Sequence, residues 1–161
     1  MKILKKSITV LVCLILFTSC TQSIDGRIEK EYIEERKGII YYKGTPFTGE
    51  IFENYKNGQL AEKINFKDGK KDGLEEGYYE NGQLYFKENF KDGKRDGLKE
   101  SYYENGQLAE KTNYKDGLEN GLSEIYFENG QLQYKINFKD GETDGLFEIY
   151  DENGKLESKA N

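Results

Sequence analysis

The sequence predicts an all-β protein: an elongated antiparallel meander of β-hairpins with a 24-residue period, laid out as a single-layer twisted sheet. Three observations carry that expectation. The tetrapeptide Asn-Gly-Gln-Leu starts at Asn57, Asn81, Asn105 and Asn129, and Asn-Gly-Lys-Leu starts at Asn153, 24 residues apart each time. A second turn mark falls between these: Asp68-Gly69 before Asp72-Gly73, Asp92-Gly93 before Asp96-Gly97, Asp116-Gly117 before Asn120-Gly121, and Asp140-Gly141 before Asp144-Gly145. The composition is 34% charged against 35% hydrophobic with a mean hydropathy of -0.88, which leaves little for a deep core. Against disorder stand 13 Tyr and 9 Phe, which supply large apolar area, and 18 Gly, which supply turns.

In chain order, residues 1–19 read as an export signal. Lys2, Lys5 and Lys6 precede an apolar run from Ile8 to Phe17, too short to span a bilayer, and small residues follow. Phe17-Thr18-Ser19-Cys20 resembles the bacterial lipobox, in which a peptidase cuts before a Cys thioether-linked to diacylglycerol; Phe17 stands where Leu is usual. Cys20 is therefore the expected lipidation site, bearing acyl chains such as palmitate, and a membrane is the first expected partner. Cys13 leaves with the signal, so the mature chain keeps one cysteine and forms no internal disulfide. Loss of the three signal lysines makes a chain of formal charge -6 more acidic still, and such a chain attracts neither nucleic acid nor anionic lipid through its overall field. The expected location is the bacterial cell envelope. Thr21 stands where an Asp would retain a lipoprotein on the inner membrane, which favours the outer membrane in a Gram-negative cell.

Residues 20–37 read as the lipidated Cys and a charged tether, in which Ile28, Tyr32 and Ile33 fit a short helix or a strand alike. The repeat array spans residues 38–161. It opens with Gly38 to Lys43 and Phe47 to Tyr55, read as a hairpin around Gly44-Thr45-Pro46, because Pro suits a turn and spoils a central strand. Inside the array Asn-Gly is the strongest hairpin mark, since a type I′ turn needs positive φ at both central residues. With Asn81 and Gly82 as those two residues, Tyr79 faces Leu84, Glu76 faces Lys87, Leu74 faces Asn89, and Gly73 faces Phe90, which lies over it. Tyr79, Leu84 and Phe90 then share one face, and Leu74, Tyr78 and Tyr85 the other. The Glu-Lys pair recurs as Glu100 with Lys111, Glu124 with Lys135 and Glu148 with Lys159, and fails in the first hairpin, where Phe52 faces Lys63. Each exposed pair is worth ~0.2–1 kcal/mol, so the pairs select register more than they stabilise. Keeping aromatics on one face requires an even number of residues between repeats, as in a turn over Gly93 and Lys94. The array closes with the short edge segment Lys155 to Asn161, whose Lys155, Glu157 and Lys159 discourage edge-to-edge pairing.

The unit Asp-Gly-Leu-x-Glu-x-Tyr-Tyr-Glu-Asn-Gly-Gln-Leu-x-x-Lys-x-Asn-Phe-Lys resembles the variant MORN repeat of bacterial proteins, often grouped as YwqK-type and labelled antitoxins of toxin-antitoxin systems. The resemblance runs from Gly38 to Asn161 and includes Pro46-Phe47-Thr48-Gly49. It implies an elongated sheet of hairpins used as a protein-interaction scaffold, with no catalytic residue and no cofactor. Some MORN proteins bind lipid or build dimers, which places self-association among the implied partnerships. An exported, anchored antitoxin does not reach a cytoplasmic toxin, so that label implies an immunity factor acting in the envelope.

Among candidate sites, the Asp-Gly loops offer carboxylates for calcium, but Asp68 and Asp72 lack the alternating ligands and distal Glu of an EF-hand, and turn chemistry accounts for them. A paired-carboxylate glycosidase fares no better, because carboxylates that recur in columns have no unique environment to tune one against its copies. The chain is expected not to be an enzyme. The remaining candidate is a tyrosine ladder, Tyr78, Tyr102 and Tyr126, on one face with Leu74, Leu98 and Leu122, continued by Tyr150. Sheet packing alone accounts for such a column; the functional reading is a protein-binding face, since Tyr brings large contact area and a polar tip at low entropy cost.

Overall fold

The computed structural model describes residues 27–160, so the expected export signal and the expected lipidation site Cys20 lie outside the described residues. Fourteen strands follow one another: β1 (Arg27–Glu29), β2 (Glu34–Arg36), β3 (Ile39–Tyr42), β4 (Thr45–Pro46), β5 (Gly49–Asn54), β6 (Leu60–Lys67), β7 (Lys70–Tyr78), β8 (Leu84–Lys91), β9 (Lys94–Tyr102), β10 (Leu108–Lys115), β11 (Leu118–Tyr126), β12 (Leu132–Lys139), β13 (Glu142–Tyr150) and β14 (Leu156–Ala160). A 3₁₀ turn, Lys30–Tyr32, separates β1 from β2. β5 to β14 form an antiparallel meander in strict chain order, and β1 adds in parallel beside β5 to complete an 11-stranded open sheet. This is the all-β, single-sheet meander that the 24-residue period predicts.

The two turn types exchange roles relative to expectation. The Asp-Gly pairs are the two-residue type I′ turns: Asp68, Asp92, Asp116 and Asp140 sit at φ 49–52° and the following glycines at 78–92°. At the Asn-Gly marks only the glycine is left-handed, with Gly82 at φ 85°. There Gly82 N–H donates to Tyr79 O (2.9 Å) and Tyr79 N–H to Gln83 O (2.8 Å), a three-residue loop of Glu80, Asn81 and Gly82. The reason lies in the Asn side chain: Asn81 Oδ1 accepts Gln83 N–H (2.9 Å), which holds Asn81 in an Asx turn rather than in the left-handed region. The turn between repeats therefore runs over Asp92-Gly93, not Gly93-Lys94.

The longer loop shifts pairing by one residue, and a bulge restores it. Tyr78, not Tyr79, pairs with Leu84, and Tyr85 is left unpaired, so Gly77 opposes Phe86, Glu76 opposes Lys87, Leu74 opposes Asn89 and Gly73 opposes Phe90 as expected. Tyr85 packs on Tyr79 instead, ring centroids 4.9 Å apart. The aromatic that lies over a glycine is Phe86 above Gly77, whereas Phe90 receives the ammonium of Lys71 at 4.8 Å. A wider irregularity closes the other end of each hairpin: Asp72, Gly73 and Leu74 stand opposite Asn65 alone, and Asn65 Nδ2 donates to Leu74 O (2.8 Å). Asn89 and Asn113 repeat that bond to Leu98 O (3.0 Å) and Leu122 O (3.1 Å).

The N-terminal segment departs further. Residues 27–36, read as tether, form β1, the 3₁₀ turn and β2, and Ile28 is 6% exposed in the core. The opening hairpin turns earlier and is shorter than expected: β3 pairs with β4, and Phe47 N–H donates to Ile40 O (2.9 Å), in a separate three-stranded sheet with β2, while β5, expected to be its second strand, pairs with β1 and β6 instead. Lys43-Gly44, both at positive φ, make the turn before β4, and Pro46 has no N–H to extend that strand into the large sheet. The small sheet covers one face of the large one at this end. Ile28, Phe47, Ile51 and Phe66 form the core there, with Ile33, Ile40, Tyr42 and Ile64 packed on it.

Successive repeats are tied at both long edges. Gly93 N–H donates to Lys71 O and Gly117 N–H to Arg95 O, each at 2.8 Å, stacking one Asp-Gly turn on the next. At the opposite edge the hydroxyls of Tyr55, Tyr79 and Tyr103 donate to the carbonyls of Tyr78, Tyr102 and Tyr126 at 2.5, 2.7 and 2.7 Å.

Candidate protein-interaction face

Side chains alternate across a strand, so Leu74, Glu76 and Tyr78 of β7 share a face, and the register carries that face along the sheet. Reading partners strand by strand gives one unbroken row: Lys63, Glu76, Lys87, Glu100, Lys111, Glu124, Lys135, Glu148 and Lys159. Cation and carboxylate alternate without a break. Every Glu thus has a Lys on each side, and the bond formed is not always the one within its hairpin. Glu76 binds Lys63 (2.5 Å) and Glu100 binds Lys87 (2.6 Å), across the Asp-Gly turns, while Glu148 binds Lys159 (2.8 Å) as the sequence pairing predicts. Lys63, expected to be left facing Phe52, therefore belongs to the row through its other neighbour.

Tyr78, Tyr102 and Tyr126 follow Glu76, Glu100 and Glu124 by two residues and flank the row on one side, with Leu74, Leu98 and Leu122 on the other. All six are half-buried. Tyr102 and Tyr126 donate to the carboxylates of Glu100 (3.3 Å) and Glu124 (3.2 Å), and Tyr150 to Glu148 (2.9 Å). Burial, then the neighbouring carboxylate, pushes the Tyr78 and Tyr126 hydroxyls above the ordinary tyrosine value. Their carboxylate partners hold Lys63 and Lys87 above the usual lysine range, and Lys159 with Tyr150 holds Glu148 below the usual carboxylate range. These groups are charged lysines and carboxylates and neutral phenols at neutral pH. The face offers apolar rings and leucines on either side of a charge row of alternating sign, three pairs of which, Lys63 with Glu76, Lys87 with Glu100 and Lys159 with Glu148, form ion pairs.

The small N-terminal sheet packs on the opposite face, through Ile51, Ile64 and Phe66, and none of the described residues forms a layer over the tyrosine face. The sequence reading located the tyrosines, the leucines and their shared face. It missed the continuity of the charge row, although a readable mark exists: its members are separated alternately by 13 and 11 residues from Lys63 to Lys159. Among the described residues no group of three His, Cys, Asp or Glu side chains is placed to hold a metal ion, and no helix is long and apolar enough to cross a membrane.

None of the curated proteins compared with the chain matches it. The family described as MORN repeat variant matches in tandem at residues 47–68, 71–92, 95–116, 119–140 and 143–161, and the breaks between matches fall at the Asp-Gly turns and the strands leaving them. Because those tandem matches cover more than half of the sequence, the chain belongs to the MORN repeat variant family.

Proposed function

We propose that the protein is a lipid-anchored scaffold of the bacterial cell envelope, held by Cys20, whose repeat sheet binds another protein through the tyrosine face. The observation that carries this reading is the extent of that face: half-exposed Tyr and Leu columns repeat beside a charge row of alternating sign over successive hairpins, with no layer of the described residues upon them. Such a surface is long, shallow and repetitive. It suits an extended protein partner rather than a small molecule, and repeat arrays bind along surfaces of this kind.

Two experiments test the two halves. Cys20→Ala should abolish acyl labelling and release the protein from the membrane fraction, because the mature chain has no other thiol; labelled, membrane-bound mutant protein refutes the anchor. Changing Tyr102 and Tyr126 together to Ser should weaken cross-linking to the envelope partner at least about tenfold, the scale of one lost aromatic anchor, while leaving the circular dichroism spectrum unchanged. Unchanged cross-linking with an intact fold refutes the face. Protection of cells against a toxin exported to the envelope would identify the partner as that toxin and the scaffold as its immunity factor.

A further inference from the structure

The face opposite the tyrosine ladder is not uniform. At its N-terminal end it is apolar and covered by the small sheet, with Ile51 3% and Phe66 8% exposed. In the middle it is polar: Glu88 binds Arg95 (2.5 Å), Lys99 binds Glu110 (2.8 Å), and Thr112 and Ser123 share a 2.7 Å hydrogen bond. Over β12 and β13 it turns apolar again, with Ile136, Phe147 and Ile149 and no layer of the described residues upon them. Between the small sheet and the large one, at the first of these regions, lies a cleft of about 380 Å³.

The walls of the cleft are apolar, Ile33 and Ile40 on the side of the small sheet and Ile51, Ile64 and Phe66 on the other. Its mouth is charged. Glu53 and Glu62 stand directly opposite each other across β5 and β6, and like charges so placed destabilise a sheet unless a cation answers both. Side chains alternate along a strand, so this pair projects from the same face as Ile51 and Ile64. No later hairpin repeats it: the same opposed positions hold Gly77 with Phe86, Ser101 with Glu110, Ile125 with Tyr134 and Ile149 with Ser158. The cation at the mouth is Lys30 of the 3₁₀ turn, whose Nζ lies 2.6 Å from Glu53 Oε2 and 4.0 Å from Glu62 Oε2. Its hydrogen bond to Glu53 outweighs burial and, with the charges of Glu53, Glu62 and Glu75, holds the ammonium above the usual lysine range. Glu35 adds a third carboxylate, and Lys71, the other lysine at the mouth, is bound to Glu75. One half-exposed lysine therefore answers three carboxylates.

We propose that this cleft binds a small amine with an apolar body, its ammonium between Glu53 and Glu62 and its hydrocarbon against Ile33, Ile40 and Ile64. The volume lies in the range of small-molecule sites, whose walls are apolar and whose few polar groups fix orientation. The surplus of carboxylate at the mouth selects a cation and works against an acid of the same shape. Lys30 already displays the geometry the site rewards, an ammonium on a hydrocarbon chain set at the acid pair. Its side chain is 53% exposed, so it turns out into water at little cost and yields that place to the ligand. The tyrosine face lies on the other side of the sheet and is not engaged.

The test uses the full chain carrying Cys13→Ser and Cys20→Ser, in one non-ionic detergent throughout, with isoleucine methyl groups labelled for nuclear magnetic resonance. The probes share one ring and differ in charge: cyclohexylmethylamine, cyclohexylmethanol and cyclohexanecarboxylate. The amine should shift the methyls of Ile33, Ile40, Ile51 and Ile64 and leave those of Ile136 in place. It should bind at least about tenfold more tightly than the alcohol or the acid, the scale of a charge-assisted hydrogen bond. Glu53→Gln with Glu62→Gln should bring the amine down to the level of the alcohol without moving the alcohol, the fold being read by circular dichroism. Lys30→Gln should tighten the amine by about threefold, the scale of one exposed ion pair, because the resident ammonium no longer competes. Should the double variant unfold, that second arm decides. No shift at the cleft isoleucines with any probe, equal affinity for the amine and the acid, shifts at Ile136 as large as those at Ile64, or an amine not tightened by Lys30→Gln overturns the proposal.

Discussion

Adding one methyl group at Gly77 separates two effects that the second repeat combines. Gly77 is buried in the extended run of β7, and a Cβ placed there would meet the Phe86 ring at Cε1 (2.3 Å), Cδ1 (2.8 Å) and Cζ (3.0 Å). Gly77→Ala therefore forces the ring off its present position, an overpacking cost of about 1–3 kcal/mol. Against it stands the relief of a glycine in a strand, about 0.5–1 kcal/mol. The net expectation is a loss of about 1–2 kcal/mol, or a fall of a few degrees in Tm at about 2–4 °C per kcal/mol for a chain this size. In a Phe86→Ala background the methyl group meets no ring and only the second effect survives, so the same substitution should stabilise by about 0.5–1 kcal/mol. A double-mutant cycle read from urea midpoints checks this change of sign. Equal destabilisation by Gly77→Ala with and without the Phe86 ring refutes the claim that close approach of that ring is what requires glycine at this rung.

Phe127 occupies the place of Tyr55, Tyr79 and Tyr103 but has no hydroxyl for the Tyr150 carbonyl, so Phe127→Tyr should raise the urea midpoint by the equivalent of about 0.5–1.5 kcal/mol and Tyr103→Phe should lower it by a similar amount. Burial, with Glu119 and Glu110 nearby, pushes the Tyr114 hydroxyl up to about 12. Above its ordinary value the unfolded chain loses that proton first, so its share of stability falls as pH rises from 10.0 towards about 12. An ultraviolet titration of wild type against Tyr114→Phe should show one phenol ionising late. Glu148, held low by Lys159 and Tyr150, contributes stability that is present above the ordinary carboxylate value and lost as pH falls through its depressed one; Glu148→Gln should flatten the acid limb of the unfolding midpoint.

Repetition made the meander legible, because a pattern that recurs every 24 residues fixes strand number and chain order at once. It made the pairing legible too, since Glu76 opposite Lys87 reappears at each later hairpin. What escaped was the route to that register. Asn-Gly and Asp-Gly both favour the type I′ turn by propensity, and the choice between them rests on whether the first side chain captures a backbone N–H two residues on, as Asn81 does with Gln83. Two compensating irregularities, a longer loop and a bulge at Tyr85, yield the same pairing below Gly77 as one tight turn, so the Glu-Lys columns could not distinguish them. The first 55 residues were hard for the opposite reason. Without repetition, Ile28 and Ile33 carry no phase, and only the tertiary contact with Phe47 and Ile51 decides that Ile28 belongs to a strand beside β5.

The Asp-Gly-x-x-Asp-Gly signature owes its second acid to the neighbouring repeat. Asp72 Oδ2 accepts the N–H of Asp92 (3.1 Å), and Asp96 Oδ2 that of Asp116 (3.3 Å), 20 residues ahead in each case. The requirement at that place is an acceptor for the first N–H of the next type I′ turn, and the ends of the array show how loosely it binds residue identity. Thr48 Oγ1 does the work for Asp68 (2.9 Å), while Asn120 inverts the polarity by donating Nδ2 to Asp140 Oδ1 (3.3 Å). A turn cap accommodates both. Thr48, Asp72 and Asp96 thus cap the Asp-Gly turn that follows each of them, and the Tyr55, Tyr79 and Tyr103 hydroxyls tie the next hairpin at the other edge. The faces between those edges are free to vary from rung to rung, which lets one sheet carry a covered apolar end, a polar middle and an uncovered apolar end on the same side without changing its register.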